Sequence, residues 1–439
     1  MNIKYFSYCI IALTLLFTLS WCEISVPQAT FLGWLVSFIT IYYCFKGRKK
    51  GMLRLEKWDN GLLNLYLFWL FFNIIRGAYI AEGYWEWKAL IGTSITLLLP
   101  VVLYVFADAD RLRKTLGAWF RWIIPLFFLF LIWLFNSGAY HYCLAPIFVF
   151  GIFTPIIPKR IRWLFITVLI VSVFIRFYDA RSQVIKAAVG VLFAIAFFCR
   201  RYITSGMIKL GYLVCYVVPV VLLYLGISGT YNVFENVSED EEGKYTSERM
   251  VNGELVENDL SSDTRTFIYQ EVITSAVRHN YVIWGRTPAR GNDSEAFGSF
   301  TAEELGTGKY ERGGNELCHP NVFTWLGLIG MTMYSLFYMR SSWLCLFRSR
   351  SRCMKFVGLF VAFHWAYGWV EDMVRFQIDN LALWMMIAMG LSKQFRAMTD
   401  KEFIAWIRGI FGVRRRRVVL PYPTQPKQVE QSQLQTNNT

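Results

Sequence analysis

One histidine stands at the predicted start of an apolar segment, where it is suited to act as a base. His319 is followed by Pro320 and Asn321, and proline is favoured at the first position of a helix. The positive end of a helix dipole disfavours an imidazolium, so we expect His319 to be neutral near pH 7, as a general base requires. Asn321 is placed to orient the ring or a substrate. The same position also suits a histidine that only caps the helix or lies at a membrane interface.

Arginines in unusual settings are the second chemical signal. Arg176 and Arg181 lie in a short connection between apolar segments, and an arginine at membrane depth is costly unless it is paired or faces water. Arg265 falls in the first turn of a predicted helix, where a cation opposes the dipole. Arg286 and Arg290 lie in a glycine-punctuated turn. Because a guanidinium binds phosphate oxygens in pairs, these residues predict a phosphate clamp. The alternative for Arg176 and Arg181 is that they snorkel to the interface or pair with Asp179, and the alternative for Arg286 and Arg290 is a solvated loop.

The composition places these residues in a membrane protein. The chain has 439 residues, of which 55% are hydrophobic and only 17% are charged, and its mean hydropathy is +0.36. About a quarter of the residues are charged in a typical soluble chain. The sequence therefore predicts an all-α integral membrane protein with about twelve transmembrane helices. They fall at residues 4–22, 29–46, 61–80, 89–106, 119–136, 141–157, 161–176, 183–199, 207–228, 320–339, 354–370 and 378–394.

The distribution of basic residues predicts the orientation. Lysine and arginine are concentrated in alternate connections, such as residues 48–57, 111–121 and 159–162, and cytoplasmic loops carry such an excess. Both termini are therefore predicted to be cytoplasmic, and the large loop between the ninth and tenth spans to face outward. Most of the formal net charge of +14 follows from this bias. It indicates contact with anionic membrane lipids and not with nucleic acid.

The chain divides into four predicted regions. Residues 1–228 contain the spans before the loop, residues 229–319 form the loop with short amphipathic helices, residues 320–394 contain the last three spans, and residues 395–439 form a basic, partly disordered cytoplasmic tail. One loop helix is predicted on the membrane surface from the spacing of apolar residues such as Ile268, Val272 and Ala276, with Ser262 or Asp263 as its cap.

Metal and cofactor sites have no signal in the sequence. The nine cysteines contain no C-x-x-C pair, and the histidines do not have the spacing of metal ligands. We therefore expect no metal and no bound cofactor.

A family resemblance enters at the string His319-Pro320-Asn321-Val322-Phe323-Thr324-Trp325-Leu326-Gly327-Leu328-Ile329-Gly330. It resembles the segment of the O-antigen ligase and polymerase superfamily in which His and Asn lead into an apolar helix with spaced glycines. In many members Asn follows His directly, whereas Pro320 separates them here. Ala180-Arg181-Ser182 is similar to the family's Ser-Arg segment with the order reversed, and Arg265 resembles its loop arginine. Glu371 is similar in place to an acidic residue before the last span.

The resemblance implies an O-antigen ligase in the bacterial inner membrane. Such an enzyme transfers a glycan from undecaprenyl diphosphate to a hydroxyl of the lipid A-core at the periplasmic face, with inversion and without a metal or cofactor. Arg181 and Arg265 would bind the diphosphate, and His319 would take the acceptor proton. Arg176, Arg286 and Arg290 would bind the diphosphate or the glycan.

Three alternatives remain open. An O-antigen polymerase and a protein O-oligosaccharyltransferase of the same superfamily would use the same donor. A polyisoprenoid-glycan transporter would need polar or broken helices near the middle of the membrane. Asn64, Asn73 and Arg76 in the third predicted span are candidates for that role, but no matching feature occurs in a second half of the sequence.

Overall fold

A computed structural model of the chain describes residues 3–19, 29–134, 137–175, 181–227, 246–251, 254–259, 264–294 and 297–412. These residues are mainly helical. In chain order the helices are α1 (Ile3–Leu19), α2 (Ala29–Met52), α3 (Lys57–Ile80), α4 (Tyr84–Leu97), α5 (Leu103–Phe106), α6 (Ala109–Leu126), α7 (Ile132–Leu134), α8 (Ser137–Cys143), α9 (Ala145–Phe150), α10 (Lys159–Ile175), α11 (Arg181–Phe198), α12 (Ser205–Ile227), α13 (Thr264–Arg278), α14 (Cys318–Phe347), α15 (Arg352–Tyr367), α16 (Ile378–Leu391), α17 (Lys393–Ala397) and α18 (Asp400–Ile410).

Strands are few and short in the described residues. β1 (Thr246–Val251) pairs antiparallel with β2 (Glu254–Asp259), and β3 (Asn292–Asp293) pairs antiparallel with β4 (Glu311–Arg312). Both hairpins belong to the segment between α12 and α14, as does α13. Short 3-10 or π-helical turns occur at Leu99–Val102, Phe127–Leu131, Gly151–Ile156 and Phe300–Glu304.

Several helices are suited to a membrane, which confirms the all-α membrane class. Among the described residues, five helices are long and apolar enough to cross a bilayer: Lys57–Ile80, Tyr84–Phe106, Ala109–Leu134, Ser205–Gly226 and Cys318–Phe347. Four more apolar helices are shorter. A helical segment lies at each of the predicted positions, but the total of about twelve spans stays a prediction. The surface of helix α12 carries exposed apolar side chains, such as Leu213 and Val220, which are 55% and 51% exposed. Such a surface suits contact with lipid and not with water.

The basic connections meet one another at one end of the bundle. Lys50 at the end of α2 pairs with Asp108 before α6 at 3.4 Å. Glu56 before α3 pairs with Arg340 of α14 at 2.6 Å and with Arg396 of α17 at 2.7 Å. Connections that the sequence predicts to be cytoplasmic are therefore joined by ion pairs.

The segment between α12 and α14 contacts the other set of connections. Lys309 pairs with Glu82, between α3 and α4, at 2.9 Å. Tyr269 of α13 donates a hydrogen bond to the carbonyl of Trp369, between α15 and α16. These contacts agree with the predicted grouping of the connections into two sides.

Helix α14 is broken at Gly327, which has φ 68° and ψ −172°. The turn that follows α13 fills the break: the Leu328 amide donates to the Val282 carbonyl at 2.8 Å, and the Arg286 amide donates to the Thr324 carbonyl at 2.7 Å. From α3, Trp69 Nε1 donates to the freed Leu326 carbonyl at 2.9 Å. A lipid-embedded backbone must satisfy its polar groups internally, so the loop and α3 make this break possible.

Helix α13 packs on the first half of α14. Ile268 and Val272 are buried against Leu317, with Phe323 beside them. The sequence predicts an apolar face lying on the membrane surface. Instead, Ile268 and Val272 of that face are covered by protein, while Ile273 of the same predicted face and Val277 beside it are 41% and 63% exposed.

Candidate active site

The imidazole of His319 is buried near the start of α14. The helix begins at Cys318, with Leu317 as its N-cap. His319 is therefore its second residue and Pro320 its third, two positions later than the sequence predicts. The side chain is 1% exposed, and its Nε2 lies 2.9 Å from the Trp365 carbonyl. Because a carbonyl can only accept, Nε2 carries the proton of this bond. Nδ1 is therefore the free basic nitrogen of the neutral ring, and it has no hydrogen-bond partner among the described residues.

Two tryptophans and a glycine enclose the His319 ring. The ring centroids of Trp369 and Trp365 lie 4.6 Å and 5.4 Å from it. The Gly368 carbonyl accepts hydrogen bonds from the amides of Cys318 and His319 at 3.0 Å and 3.2 Å. A methyl group at Gly368 would lie 2.9 Å from His319 Nε2. The end of α15 and the segment that follows it therefore fix both the backbone and the ring of His319.

Helix α13 brings the predicted loop arginine towards the same segment. Tyr269 hydrogen-bonds the Trp369 carbonyl, and its ring stacks on that of Trp369 at 6.5 Å between centroids. Arg265 lies one helical turn before Tyr269 on α13, and its side chain lies outside the described part of the chain. The backbone thus places Arg265 on the helix end that contacts the tryptophan covering His319.

Helix α11 approaches this segment from another side. Lys186 Nζ lies 2.5 Å from Glu371 Oε1, and the Glu371 carbonyl accepts from the Cys318 amide at 3.0 Å. Arg181 is the first residue of α11, five positions before Lys186; its side chain is not among those described. Arg176 lies outside the described residues. The sequence singled out Glu371 by its position before the last span, and the structure gives it a cationic partner.

The residues 365–371 are consequently the meeting point of three elements. α14 presents His319 to them, α13 contacts them through Tyr269, and α11 reaches them through Lys186. The three residues that the sequence predicts to be catalytic, His319, Arg265 and Arg181, lie on these elements. Because the elements are far apart in the chain, no local sequence pattern predicts that they meet.

Asn321 is used by the neighbouring loop and not by His319. Its Oδ1 accepts from the Asn315 amide at 2.6 Å, and its Nδ2 donates to the Asn315 carbonyl at 2.8 Å. Both ends of the amide are thus occupied. Its observed contacts hold the chain just before α14 in place.

Arg286 lies in a group of opposite charges. Its Nη1 contacts Asp293 Oδ1 at 2.7 Å, and its Nη2 contacts Glu311 Oε1 at 2.8 Å. Burial alone would raise the pKa of the Asp293 carboxyl, but hydrogen bonds from Arg286 and His279 outweigh it and hold that pKa below its ordinary value. The guanidinium is 10% exposed, so a phosphate would have to displace a carboxylate to bind it.

Arg290 shares the same carboxylates. Its Nε lies 2.8 Å from Glu311 Oε2, and its Nη1 lies 3.8 Å from Glu86 Oε1. Hydrogen bonding to Glu311 raises the pKa of the Arg290 guanidinium, and burial opposes this only in part. The sequence did not predict this pairing, because Glu86 and Glu311 are distant from the arginine turn in the chain.

A second polar group within the helices had only a faint sequence signal. A cavity lined by Lys186, His364, Asp379 and Asn380 lies beside apolar residues of α9 and α15. Asp379 Oδ1 is buried without a hydrogen-bond partner among the described residues. Ionisable residues at membrane depth are functional candidates by default, and that rule was the signal available for Lys186 and Asp379.

No cluster of three or more His, Cys, Asp or Glu side chains suited to a metal ion occurs among the described residues. Comparison with protein-family models, with curated proteins and with solved structures finds no match to this chain. Its function therefore has to be argued from its own residues.

Proposed function

We propose that this protein is a glycosyltransferase of the bacterial inner membrane, with the activity of an O-antigen ligase. It would transfer a glycan from undecaprenyl diphosphate to a hydroxyl of the lipid A-core. The observation that carries the proposal is the convergence on residues 365–371 of the three elements bearing His319, Arg265 and Arg181. The proposal includes cytoplasmic termini and a periplasmic position for α13 and the hairpins, from the basic residues of the connections.

The chemistry assigns one role to each group. The acceptor oxygen attacks the anomeric carbon of the glycan as the bond from that carbon to the diphosphate oxygen breaks, which inverts the anomeric centre. His319 Nδ1, which has no hydrogen-bond partner in the part of the chain that the structure describes, takes the hydroxyl proton. Arg181 and Arg265 bind the departing diphosphate and stabilise its growing charge. No metal or cofactor takes part in this scheme.

Access to His319 requires movement in the state described. The ring is 1% exposed and is covered by Trp369, so the acceptor has to displace that tryptophan or the segment carrying it. Trp369 is not part of a regular helix, and segments of this kind open at lower free energy than packed helices. Asn321 acts in this scheme by positioning the chain before α14, and Glu371 by anchoring α11.

The transporter alternative gains no support from the broken helix. In transporters the exposed ends of such a helix bind the substrate. Here the groups at the break are bonded to Val282, to Arg286 and to Trp69. Arg76 is also engaged, since it donates to the Trp284 carbonyl at 3.0 Å. These contacts fit a structural break that is filled by the loop and by α3.

The test is the lipopolysaccharide of a deletion strain complemented with wild type or with His319→Ala, Arg265→Ala or Arg181→Ala. Arg278→Ala is the matched control, because Arg278 ends the helix that Arg265 begins and is 62% exposed. We expect the three variants, but not the control, to lose polymer-capped lipopolysaccharide while carrier-linked polymer accumulates. Protein levels are compared by immunoblot.

Other outcomes separate the alternatives. A deletion strain that retains lipopolysaccharide with a single capped repeat would identify a polymerase. A deletion that leaves lipopolysaccharide intact but removes glycan from proteins would identify a protein O-oligosaccharyltransferase. Carrier-linked repeats trapped on the cytoplasmic face would identify a transporter. Wild-type behaviour of His319→Ala at normal protein level would refute the role of the histidine.

A further inference from the structure

A cavity of about 320 Å³ lies between the start of α4 and the loop on either side of β4, away from His319. Its volume falls at the lower end of the range for ligand pockets, which is about 300–1,000 Å³. Its wall combines Trp34 and Trp85 with five charged residues, Glu86, Lys88, Arg290, Lys309 and Glu311. The described neighbours of the cavity thus supply both aromatic and polar groups.

The charged side chains form a fixed, alternating array. Lys309 Nζ lies 2.5 Å from Glu86 Oε1, and Arg290 bonds Glu311 through its Nε at 2.8 Å. Glu86 and Glu311 are 8% and 6% exposed. Each carboxylate is therefore held by a cation, and the array offers donors and acceptors at set positions. Such an array suits hydroxyl groups, which donate and accept, better than a phosphate, which only accepts and would have to compete with Glu86 and Glu311 for Lys309 and Arg290.

The aromatic side chains complete the features that sugar rings require. A pyranose has hydroxyls at its rim and apolar C–H groups on its face, and an indole offers a flat apolar surface. Trp34 and Trp85 are both half-buried at the wall. Lys88 Nζ lies 4.5 Å from the Trp85 ring centroid, so a cation already holds this ring in place.

The cavity is linked through the main chain to the helix that carries His319. Gly313 lines the cavity, and its carbonyl accepts from Trp325 Nε1 of α14 at 3.3 Å. Two residues later, Asn315 is bound by Asn321 at both its amide and its carbonyl. A ligand in the cavity is therefore held at a fixed place relative to the first half of α14.

From these contacts we infer that the cavity is a carbohydrate-binding subsite for a neutral sugar residue. Trp85 and Trp34 contact the face of the ring, and the Glu86–Lys309 and Arg290–Glu311 pairs bind its hydroxyls. That the sugar belongs to a transferred glycan rests on the proposed function; that the cavity binds sugar does not. The assignment gives Arg290 a glycan role in place of a diphosphate role.

The test is saturation-transfer difference NMR on the purified full-length protein in lipid nanodiscs. The probes are neutral trisaccharides built on glucose, galactose, mannose or N-acetylglucosamine, with trigalacturonate and inorganic pyrophosphate as anionic probes. We expect at least one neutral trisaccharide to bind, and Trp85→Ala to weaken it by about tenfold or more. Trp87→Ala is the matched control, because Trp87 lies in the same helix, is 44% exposed and does not line the cavity.

A second variant tests the cavity in case Trp85→Ala misfolds. Ala89→Trp fills the cavity without removing a polar group, since Ala89 lies on its wall, and it is expected to abolish binding. Absence of binding by every neutral probe, unchanged binding by Trp85→Ala and Ala89→Trp, or a preference for the anionic probes would each overturn the inference.

Failure of the subsite and failure of the proposed function give different results. His319→Ala is expected to retain sugar binding and to lose transfer. If it loses neither, the proposed function is wrong and the subsite stands. If sugar binding is absent while His319→Ala still loses transfer, the subsite is wrong and the proposed function stands.

Discussion

The contact between Gly327 and Gly285 should not tolerate a side chain at either position. Gly327 has φ 68° and ψ −172°, and a methyl group there would lie 2.2 Å from the Ile283 carbonyl oxygen. This conformation is almost confined to glycine and costs another residue about 1–3 kcal/mol. Gly285, with φ 78°, faces it, and a methyl group there would lie 2.5 Å from the Gly327 amide nitrogen.

Relief of the clash has to separate two stretches of backbone. It would break the hydrogen bonds from Leu328 to Val282 and from Arg286 to Thr324. Leaving a buried polar group unpaired costs about 1–3 kcal/mol. Together with the strain, we expect Gly327→Ala to lower the free energy of unfolding by about 3–9 kcal/mol. That is a large part of the about 5–15 kcal/mol that stabilises a typical protein.

The assay is the apparent melting temperature of the detergent-purified protein. The entropy of unfolding grows with chain length, so about 1 °C per kcal/mol is expected for 439 residues. Gly327→Ala should therefore melt at least about 3 °C lower than the wild type, or fail to accumulate. Gly61→Ala in α3 is the control, because a methyl group there meets no atom within 4 Å and alanine favours a helix interior.

The double variant sharpens the test. Gly285→Ala and Gly327→Ala disrupt the same contact, so their combined effect should be smaller than the sum of the single effects. A Gly327→Ala protein that melts within about 1 °C of the wild type would refute the reasoning. Additive losses in the double variant would show that the two glycines do not act through one contact.

Three further predictions concern the site. Gly368→Ala, whose methyl group would lie 2.9 Å from His319 Nε2, should reduce transfer by about tenfold or more at unchanged protein level, and unchanged transfer would count against the histidine. Burial alone would raise the pKa of the Asp293 carboxyl, but its hydrogen bonds hold that pKa below the ordinary 3.8. The ionised carboxyl therefore stabilises the protein above about pH 4, and this stabilisation is lost as the pH falls further. The melting temperature should consequently fall less between pH 6 and pH 3.5 in Asp293→Asn than in the wild type. Tyr269→Phe removes the hydrogen bond to Trp369 and should speed amide hydrogen exchange in α13 about fivefold, with an unchanged rate contradicting its role in docking this helix.

Local patterns were sufficient to predict several of the helices, such as α13. Helix α13 begins at Thr264, directly after its predicted caps, because capping and apolar spacing are properties of neighbouring residues. A helix also begins beside His319. Its start at Cys318 and not at Pro320 depends on amide hydrogen bonds to the Gly368 carbonyl, which no local pattern contains.

Features that depend on distant contacts were not predictable in the same way. The break at Gly327 is stabilised by Trp69 and by the turn near Val282, and the sequence offered only spaced glycines as a sign of it. The carboxylates that neutralise Arg290 come from α4 and β4. A phosphate clamp and an ion-paired loop therefore have similar sequences, because they differ in which carboxylates from distant parts of the chain contact the arginines.

The break in α14 has a consequence for how the candidate site opens. The half-helix Cys318–Leu326 is tied to the loop by Asn321 and Thr324, whereas the second half of α14 is tied to the bundle through residues such as Arg340. His319 is therefore held from two sides, by the loop through its half-helix and by the carbonyls of Trp365 and Gly368. Any ligand that shifts the loop, such as a sugar in the cavity beside β4, would move the histidine relative to the Trp369 that covers it. Under the proposed function, the break would let binding in the loop expose His319, which an unbroken α14 locked into the bundle would resist.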